Sequence, residues 1–277
     1  MIDLRTINRL RSFESYADEH YCYFNQRNIG GDYKKSSVLY KLINHSYNKN
    51  KERRLFNYLL INHKNILIGD IEKIERVIQD ILDIYDGENP FFEIIGGKFK
   101  LTGLGLEISK IFNYKKFRKD PISKVFFEVI NVKSYIYCKA KDISKFELDE
   151  KKYERTFNHY LPKVKYPFLS VSMYNLIPVC SFCNNIKGDN EYEPSDFNYP
   201  YLNSVDVNTS FVTLNTLREI SPFYLSISPN VQNTSYFNLI NKLNIIERYY
   251  GQYDKIERFF NSAKCCSQHY VESKIRI

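Results

Sequence analysis

A Cys-x-x-Cys pair, Cys180 and Cys183, constrains the fold of this chain more than any other sequence feature. The pair ends the run NLIPVCSFC, in which apolar residues and a proline lead into the two thiols. At a tight turn this spacing places both sulfurs on one side of a knuckle, which suits tetrahedral zinc. Two thiolates leave two zinc positions unfilled, so the sequence predicts that further ligands come from elsewhere in the chain.

Cys138, in the run SYIYCKAK, is the obvious third zinc ligand. Tyr135 stands where a second Cys-x-x-Cys would need its first thiol, and tyrosine is a poor zinc ligand. A fourth ligand could reach back from the C-terminal Cys265, Cys266 or His269. The alternative is that no zinc binds and the cysteines pack as small hydrophobic side chains.

The general composition indicates a protein with a real hydrophobic core. The chain has 277 residues, of which 43% are hydrophobic, and this length is typical of two domains. Six irregularly spaced cysteines are too few for a disulfide framework. The first residues lack the apolar core of a signal peptide, and no uninterrupted apolar run reaches about 18 residues. We therefore expect a cytoplasmic protein without a membrane span.

The positive charge is concentrated in the middle of the chain. Residues 110–189 hold 16 Lys and Arg against 8 Asp and Glu, whereas residues 1–109 hold 16 against 15 and residues 190–277 hold 8 against 9. A solvated basic face and a polyanion-binding site both fit this distribution. The basic segment contains the Cys-x-x-Cys pair, which favours the polyanion site.

The first hundred residues are predicted to be mainly helical. Residues 71–85 carry apolar side chains at three- and four-residue steps, which is typical of an amphipathic helix. Further helices are expected around 3–24, 36–46 and 51–63. The glycine-containing stretch 87–105 matches no phosphate-binding loop and is expected to form a loop or a hairpin.

Later segments give weaker indications. A helix is expected to open near Asp120-Pro121, since proline suits the first turn of a helix. Residues 190–204 resemble an ordered loop, and short β-branched and aromatic runs within 205–229 indicate strands. Residues 235–263 have helical spacing with a break at Gly251, which predicts a long C-terminal helix.

Three runs around the cysteines form one longer pattern: NHYLPKVKYPFL at 158–169, NLIPVCSFCN at 175–184 and KGD at 187–189. This pattern resembles the HNH nuclease family. More narrowly, it resembles a group from bacterial anti-phage defence systems with D-H-F-x-P-K-S-K-Y-P-x-L, then N-L-I-P-x-C-x-x-C-N, then K-G-D. The upstream runs IFNY and YIYC also fit the group, and the resemblance covers roughly residues 110–195.

Helical spacing along the chain predicts a fold that is mostly α, and the resemblance implies a small α+β core of the ββα-metal type. We expect a helical N-terminal region (1–109), which the resemblance does not cover, an HNH nuclease domain with a zinc knuckle (110–200) and a C-terminal extension with short strands and a helix (201–277). The implied activity is metal-dependent hydrolysis of DNA phosphodiester bonds.

The resemblance also assigns roles to residues. His159 would be the general base, Asn175 would brace the loop and orient His159, and Asn184 with Asn158 would hold Mg²⁺ or Mn²⁺. Structural Zn²⁺ would be held by the thiols Cys138, Cys180 and Cys183. The phosphate contacts would be the lysines Lys163, Lys165 and Lys187.

Two departures from the family pattern leave a second function open. Asn158 replaces an aspartate and brings Mg²⁺ only a neutral carbonyl oxygen, and Tyr135 replaces a cysteine. The alternative is a catalytically weak or inactive HNH domain that serves as a nucleic-acid-binding or scaffolding subunit. In either case the resemblance implies a partner ATPase of the ABC or AAA type, with residues 1–109 as the docking region.

Overall fold

The computed structural model describes residues 13–47, 49–130, 156–188, 207–212, 215–216, 219–220, 224–229 and 241–244. This part of the chain is mostly helical, with small two-stranded antiparallel sheets. The helices are α1 (Phe13–Phe24), α2 (Val38–Ile43), α3 (Asn50–Ile68), α4 (Ile71–Ile84), α5 (Gly103–Ile111), α6 (Tyr114–Lys119), α7 (Pro121–Ile130) and α8 (Ser181–Lys187). The strands are β1 (Phe92–Ile95), β2 (Lys98–Leu101), β3 (Thr156–His159), β4 (Leu176–Val179), β5 (Val207–Val212), β6 (Asn215–Thr216), β7 (Glu219–Ile220) and β8 (Tyr224–Pro229).

The amphipathic helix expected at 71–85 is confirmed as α4. Asp70 caps its N-terminus, where the carboxylate accepts a hydrogen bond from the backbone N–H of Lys73 at 3.1 Å. One face of α4 is buried and consists of Ile71, Ile74, Val77, Ile81 and Ile84. The other predicted N-terminal helices correspond to α1, α2 and α3, although residues 3–12 lie outside the described part of the chain.

The stretch 87–105 contains the expected hairpin, formed by β1 and β2. Phe92 pairs with Leu101 and Ile95 with Lys98, so the connection consists of Gly96 and Gly97 alone. Both glycines have positive φ angles, 57° and 73°. A two-residue connection of this kind needs positive φ at both positions, which glycine adopts without strain.

The N-terminal helices pack directly against α7 and against the loop between β3 and β4. The Tyr16 hydroxyl donates to the Ile122 carbonyl at 3.2 Å, and His20 Nε2 donates to the Val171 carbonyl at 2.8 Å. Buried side chains from both sides of position 109 belong to one hydrophobic cluster. The predicted division into domains at that position stays a prediction.

Helix α7 opens at Pro121, where the sequence predicts a helix start, and β5 and β8 lie in the segment where strands were expected. The predicted loop at 190–204 and most of the predicted helix at 235–263 lie outside the described residues. None of the described helices combines the length and the apolar character that crossing a membrane requires.

Candidate functional site

The predicted site residues lie on a strand pair followed by a helix. Strand β3 pairs antiparallel with β4, with Asn158 opposite Ile177 and His159 opposite Leu176. Helix α8 begins two residues after β4 and packs against β3. The chain order β3, β4, α8 therefore brings His159 and Asn158 next to a helix that carries Asn184.

The cysteine pair forms the junction between β4 and α8. Cys180 is the N-cap of the helix, and its sulfur accepts a hydrogen bond from the Cys183 backbone N–H at 3.4 Å. The helix ends at Gly188, whose φ is 52°. The Cys-x-x-Cys pattern thus coincides with a change from extended to helical backbone, as the knuckle prediction requires.

His159 is almost fully buried, with 8% of its surface exposed. Its Nε2 lies 2.9 Å from the Ser170 carbonyl oxygen. Because a carbonyl oxygen only accepts hydrogen bonds, Nε2 carries the proton in the neutral ring and Nδ1 carries the lone pair. Burial, with a smaller contribution from the nearby Lys163 ammonium, lowers the pKa of His159 to about 3. The ring is therefore neutral at physiological pH.

Tyr114 forms one wall around His159. The two ring centroids are 4.5 Å apart in an edge-to-face arrangement. The Tyr114 hydroxyl lies 3.5 Å from the Phe157 carbonyl, and burial raises the pKa of Tyr114 to about 12. Tyr114 therefore fixes the orientation of the His159 ring and shields it from water.

Asn175 braces the loop that follows β3. Its Oδ1 accepts from the Leu161 backbone N–H at 2.7 Å, and its Nδ2 donates to the carbonyls of Leu161 at 3.0 Å and Leu169 at 3.1 Å. The side chain is 1% exposed, so these bonds are not in competition with water. Its role in orienting His159 stays a prediction.

The two predicted ligands of a catalytic cation are in direct contact. Asn158 Nδ2 donates to Asn184 Oδ1 at 3.0 Å, and Asn158 is 2% exposed. Their amide oxygens are ligands of the type that Mg²⁺ and Mn²⁺ accept, but both are neutral. The pair therefore fits a weakly held divalent cation, whose binding would compete with the bond between the two amides.

The cysteines would supply half of the predicted tetrahedral zinc site. Cys180 is 3% exposed and Cys183 is fully buried, and neither forms a disulfide. The third predicted ligand, Cys138, lies outside the described residues. Within the ranges that the structure does describe, no three His, Cys, Asp or Glu side chains gather in a way that could hold a metal ion. The thiol pair suits zinc in type and spacing, and a complete site would need Cys138 and a fourth ligand.

The three predicted phosphate contacts have different surroundings. Lys163 is exposed, and its Nζ lies 5.4 Å from the centre of the Tyr114 ring. Lys165 Nζ lies 4.9 Å from the centre of the Phe99 ring. Lys163 is therefore at the surface beside the Tyr114 ring that contacts His159, whereas the half-buried Lys165 lies over the β1–β2 hairpin.

For Lys187, the structure contradicts the predicted contact with phosphate. Lys187 is fully buried, and its Nζ donates to the His159 backbone carbonyl at 2.9 Å. A buried ammonium bonded to the protein cannot contact a phosphate at the surface. Lys187 instead ties the last turn of α8 to the strand that carries His159.

Sequence reasoning assigned no role to Tyr114 or Ser170. Tyr114 ends the IFNY run that fits the family pattern, and that match was the available signal. Ser170 acts through its backbone carbonyl, and its hydroxyl donates to the Phe112 carbonyl. A contact made by the backbone depends little on residue type, so the sequence gives no sign of it.

Comparison of the chain with protein-family models, with curated proteins and with solved structures finds no match. The functional assignment therefore depends on the residues of the site and their geometry.

Proposed function

We propose that this protein is an HNH-type, metal-dependent endonuclease that hydrolyses DNA phosphodiester bonds. One observation carries the proposal: a neutral histidine, with its lone pair on Nδ1, is held on a strand beside the helix that bears Asn184. The surrounding segment has twice as many basic as acidic residues. A proton acceptor, amide oxygens and positive charge are the groups that phosphodiester hydrolysis requires.

In this proposal His159 accepts a proton from the attacking water at Nδ1. The bond from Nε2 to the Ser170 carbonyl stabilises the imidazolium that forms. A pKa of about 3 makes the unliganded ring a weak base. A phosphodiester beside Lys163 would offset the ammonium charge and raise the pKa of His159. The pKa of the base would therefore lie closer to pH 7 when substrate is bound.

Asn158 and Asn184 would hold Mg²⁺ or Mn²⁺ through their amide oxygens. Such a cation stabilises the charge that develops on the phosphate and its leaving oxygen. Cys180 and Cys183, together with Cys138, would hold structural Zn²⁺ at the junction between β4 and α8. Lys163 and Lys165 would contact the phosphate backbone without reading sequence.

A second candidate function is DNA binding or scaffolding without cleavage. It is favoured by the hydrogen bond from Asn158 to Asn184, because this bond already uses the Asn184 oxygen that a cation would need. Among the described residues, no group of three or more His, Cys, Asp or Glu side chains adds the ligands of a strongly held cation. Such a protein would bind the same DNA but would not cut it.

Cleavage of supercoiled plasmid DNA tests the proposal. The wild-type protein should nick the plasmid with Mg²⁺ or Mn²⁺ and not with a chelator, and His159→Ala should abolish nicking while DNA binding persists. His45→Ala, which changes a histidine that stacks on Phe56 away from the site, is the matched control. Equal nicking by wild type and His159→Ala would overturn the nuclease proposal and favour the second function.

The proposal includes a defence setting and a partner. The resemblance supports a nuclease effector of an anti-phage system that acts with an ABC- or AAA-type ATPase, docked through the helical region 1–109. Ile43 and Ile61 on α2 and α3 are 55% and 77% exposed, which provides apolar surface for such a contact. Co-purification with an ATPase encoded next to this protein, lost in Ile61→Glu, would support this partner.

A further inference from the structure

We propose that the β1–β2 hairpin, residues 92–101, enters a groove of double-stranded DNA and that the substrate is therefore duplex DNA. This inference deepens the proposed nuclease function and rests on it. The hairpin carries two exposed apolar residues, Ile94 at 64% and Ile95 at 45%, beside two exposed lysines, Lys98 and Lys100. Exposed apolar side chains beside exposed ammonium groups are typical of a binding surface.

The hairpin has the dimensions of a groove-binding ribbon. It has four residues in each strand, so it extends about 13 Å from its base, and its strands lie about 4.8 Å apart. The major groove of B-form DNA is about 12 Å wide and admits a two-stranded ribbon. Gly96 and Gly97 make the tip narrow, since neither has a side chain. The major groove of double-stranded RNA is deep and narrow and excludes such a ribbon.

The hairpin carries a small positive surplus, with Lys98 and Lys100 against Glu93. Across the ribbon Lys100 faces Glu93, and Lys98 faces the apolar Ile95. On the opposite face of the ribbon, Lys165 adds a third ammonium over the rings of Phe92 and Phe99 at 5.9 and 4.9 Å. In the part of the chain that the structure describes, neither Lys98 nor Lys100 forms an ion pair. Their charge is therefore available to phosphates.

The base of the hairpin is held rigidly. The Phe91 ring is 1% exposed and packs on Phe168, with ring centroids 5.5 Å apart. The Thr102 backbone N–H donates to the Phe91 carbonyl at 2.9 Å, and the Thr102 hydroxyl donates to the Pro90 carbonyl at 2.8 Å. A rigid ribbon loses little conformational entropy on binding, which favours a recognition element over a loose loop.

The hairpin is connected to the candidate site through the segment 163–165. Asn89 Nδ2 donates to the Lys165 carbonyl at 3.0 Å, and the Lys165 ammonium lies over the hairpin. Two residues earlier, Lys163 lies over Tyr114, whose ring contacts His159. Basic and aromatic side chains thus form a series of contacts from His159 to the hairpin, and in this inference one DNA duplex contacts both.

Binding measured by fluorescence anisotropy in a chelator tests the inference without any cleavage. The probes are a 30-base-pair DNA duplex, the RNA duplex of the same sequence and one DNA strand. The variants are Lys98→Ala/Lys100→Ala, Ile94→Ser/Ile95→Ser and, as a control with the same loss of charge, Lys34→Ala/Lys35→Ala on the turn before α2. We expect duplex DNA to bind most tightly to the wild type.

Each phosphate contact contributes about 0.9 to the slope of log affinity against log salt. Lys98→Ala/Lys100→Ala should therefore lower that slope by about 1.8, and the control should leave it unchanged. Ile94→Ser/Ile95→Ser should weaken binding with the slope unchanged. An unchanged slope in the hairpin lysine variant, or binding of RNA duplex or single strand as tight as that of duplex DNA, would overturn the inference.

The two proposals can fail separately. If the wild type does not nick plasmid but binds duplex DNA with the expected dependence on Lys98 and Lys100, the hairpin is a duplex-binding element, and the nuclease proposal and with it the assignment of a substrate are wrong. If the wild type nicks plasmid and its duplex binding does not depend on these lysines, the nuclease proposal stands and the hairpin inference is wrong.

Discussion

The Nε2 atom of His159 lies 2.9 Å from the backbone carbonyl oxygen of Ser170, and this relationship determines the protonation pattern of the histidine. The carbonyl can only accept, so the ring proton is on Nε2 and the lone pair is on Nδ1. Ser170 is itself fixed, because its hydroxyl donates to the Phe112 carbonyl. The orientation of the proposed base thus depends on the backbone between β3 and β4 and on the end of α5.

Tyr114 should control the pKa of His159. Tyr114→Ala opens the buried ring to water, so we expect the pKa of His159 to rise from about 3 towards its usual range near 6.5. Tyr114→Phe retains the aromatic wall and loses only the 3.5 Å contact to Phe157, so it should leave that pKa low. Titration of ¹⁵N-labelled histidine by NMR measures both the pKa and the tautomer. A low pKa in Tyr114→Ala would show that Tyr114 does not shield the ring.

The protein should lose stability in mild acid because of two buried histidines. Burial lowers the pKa of His20 to about 4 and that of His159 to about 3, both below the unfolded value near 6.5. The unfolded chain therefore binds more protons between these values, and stability is full above about pH 6.5 and falls as the pH drops towards 4 and then 3. Each histidine contributes up to about 1.4 kcal/mol per pH unit in that window.

Urea unfolding at pH 5, 6 and 7 measures this effect. His20 lies among aromatic rings and donates to the Val171 carbonyl. His20→Gln keeps a donor but cannot titrate, so its stability should depend less on pH than that of the wild type. The same pH dependence in both proteins would mean that His20 does not supply this effect.

Asn158→Asp should make stability depend on divalent cations. The substitution removes the donor to Asn184 Oδ1 and buries a carboxylate facing that oxygen, which should cost about 1–3 kcal/mol without metal. Mg²⁺ or Mn²⁺ would be held by the new charge, so we expect its addition to raise the melting temperature of the variant more than that of the wild type. Thermal unfolding with and without the cation measures the difference, and an equal response in both proteins would count against a cation site there.

Lys187 should matter for stability and not for DNA binding. Lys187→Met keeps the length of the buried side chain but leaves the His159 carbonyl without its charged donor, which should cost about 1.5–3 kcal/mol. Lys163→Ala, at an exposed position, should change stability by less than about 0.5 kcal/mol. Chemical denaturation measures both, and the salt dependence of DNA binding should fall only in Lys163→Ala. A fall in Lys187→Met would reinstate Lys187 as a phosphate contact.

Gly105 should be needed for the close packing of α5 against Phe91 at the base of the hairpin. A Cβ at Gly105 would lie 2.1 Å from the Phe91 carbonyl oxygen, so Gly105→Ala must move backbone and should cost about 1–3 kcal/mol. Gly103, in the same helix, has no atom within 4 Å of its Cβ position. Gly103→Ala should therefore be neutral or stabilise by up to about 1 kcal/mol. Thermal unfolding compares the two, and equal effects would contradict the close approach between α5 and Phe91.

The local elements could be predicted because neighbouring residues specify them. The isoleucine spacing in 71–84 is sufficient for an amphipathic helix, and two adjacent glycines between apolar runs are sufficient for a hairpin turn. The Cys-x-x-Cys run likewise indicated the turn from β4 into α8. Asn158, His159 and Asn184 could be singled out by their place in a family pattern, and the structure brings Asn158 and Asn184 into contact and places His159 on the same strand.

Relationships between distant positions were decided only by the tertiary structure. Tyr114 reaches His159 across 45 positions of sequence, and His20 reaches Val171 across 151. From the sequence, Lys187 is expected at the surface. In the structure it is buried, and its ammonium donates to the His159 carbonyl. Side chains pack against, and form hydrogen bonds with, the groups that lie next to them in the folded chain. The partner of a buried side chain therefore depends on three-dimensional packing and not on its sequence neighbours.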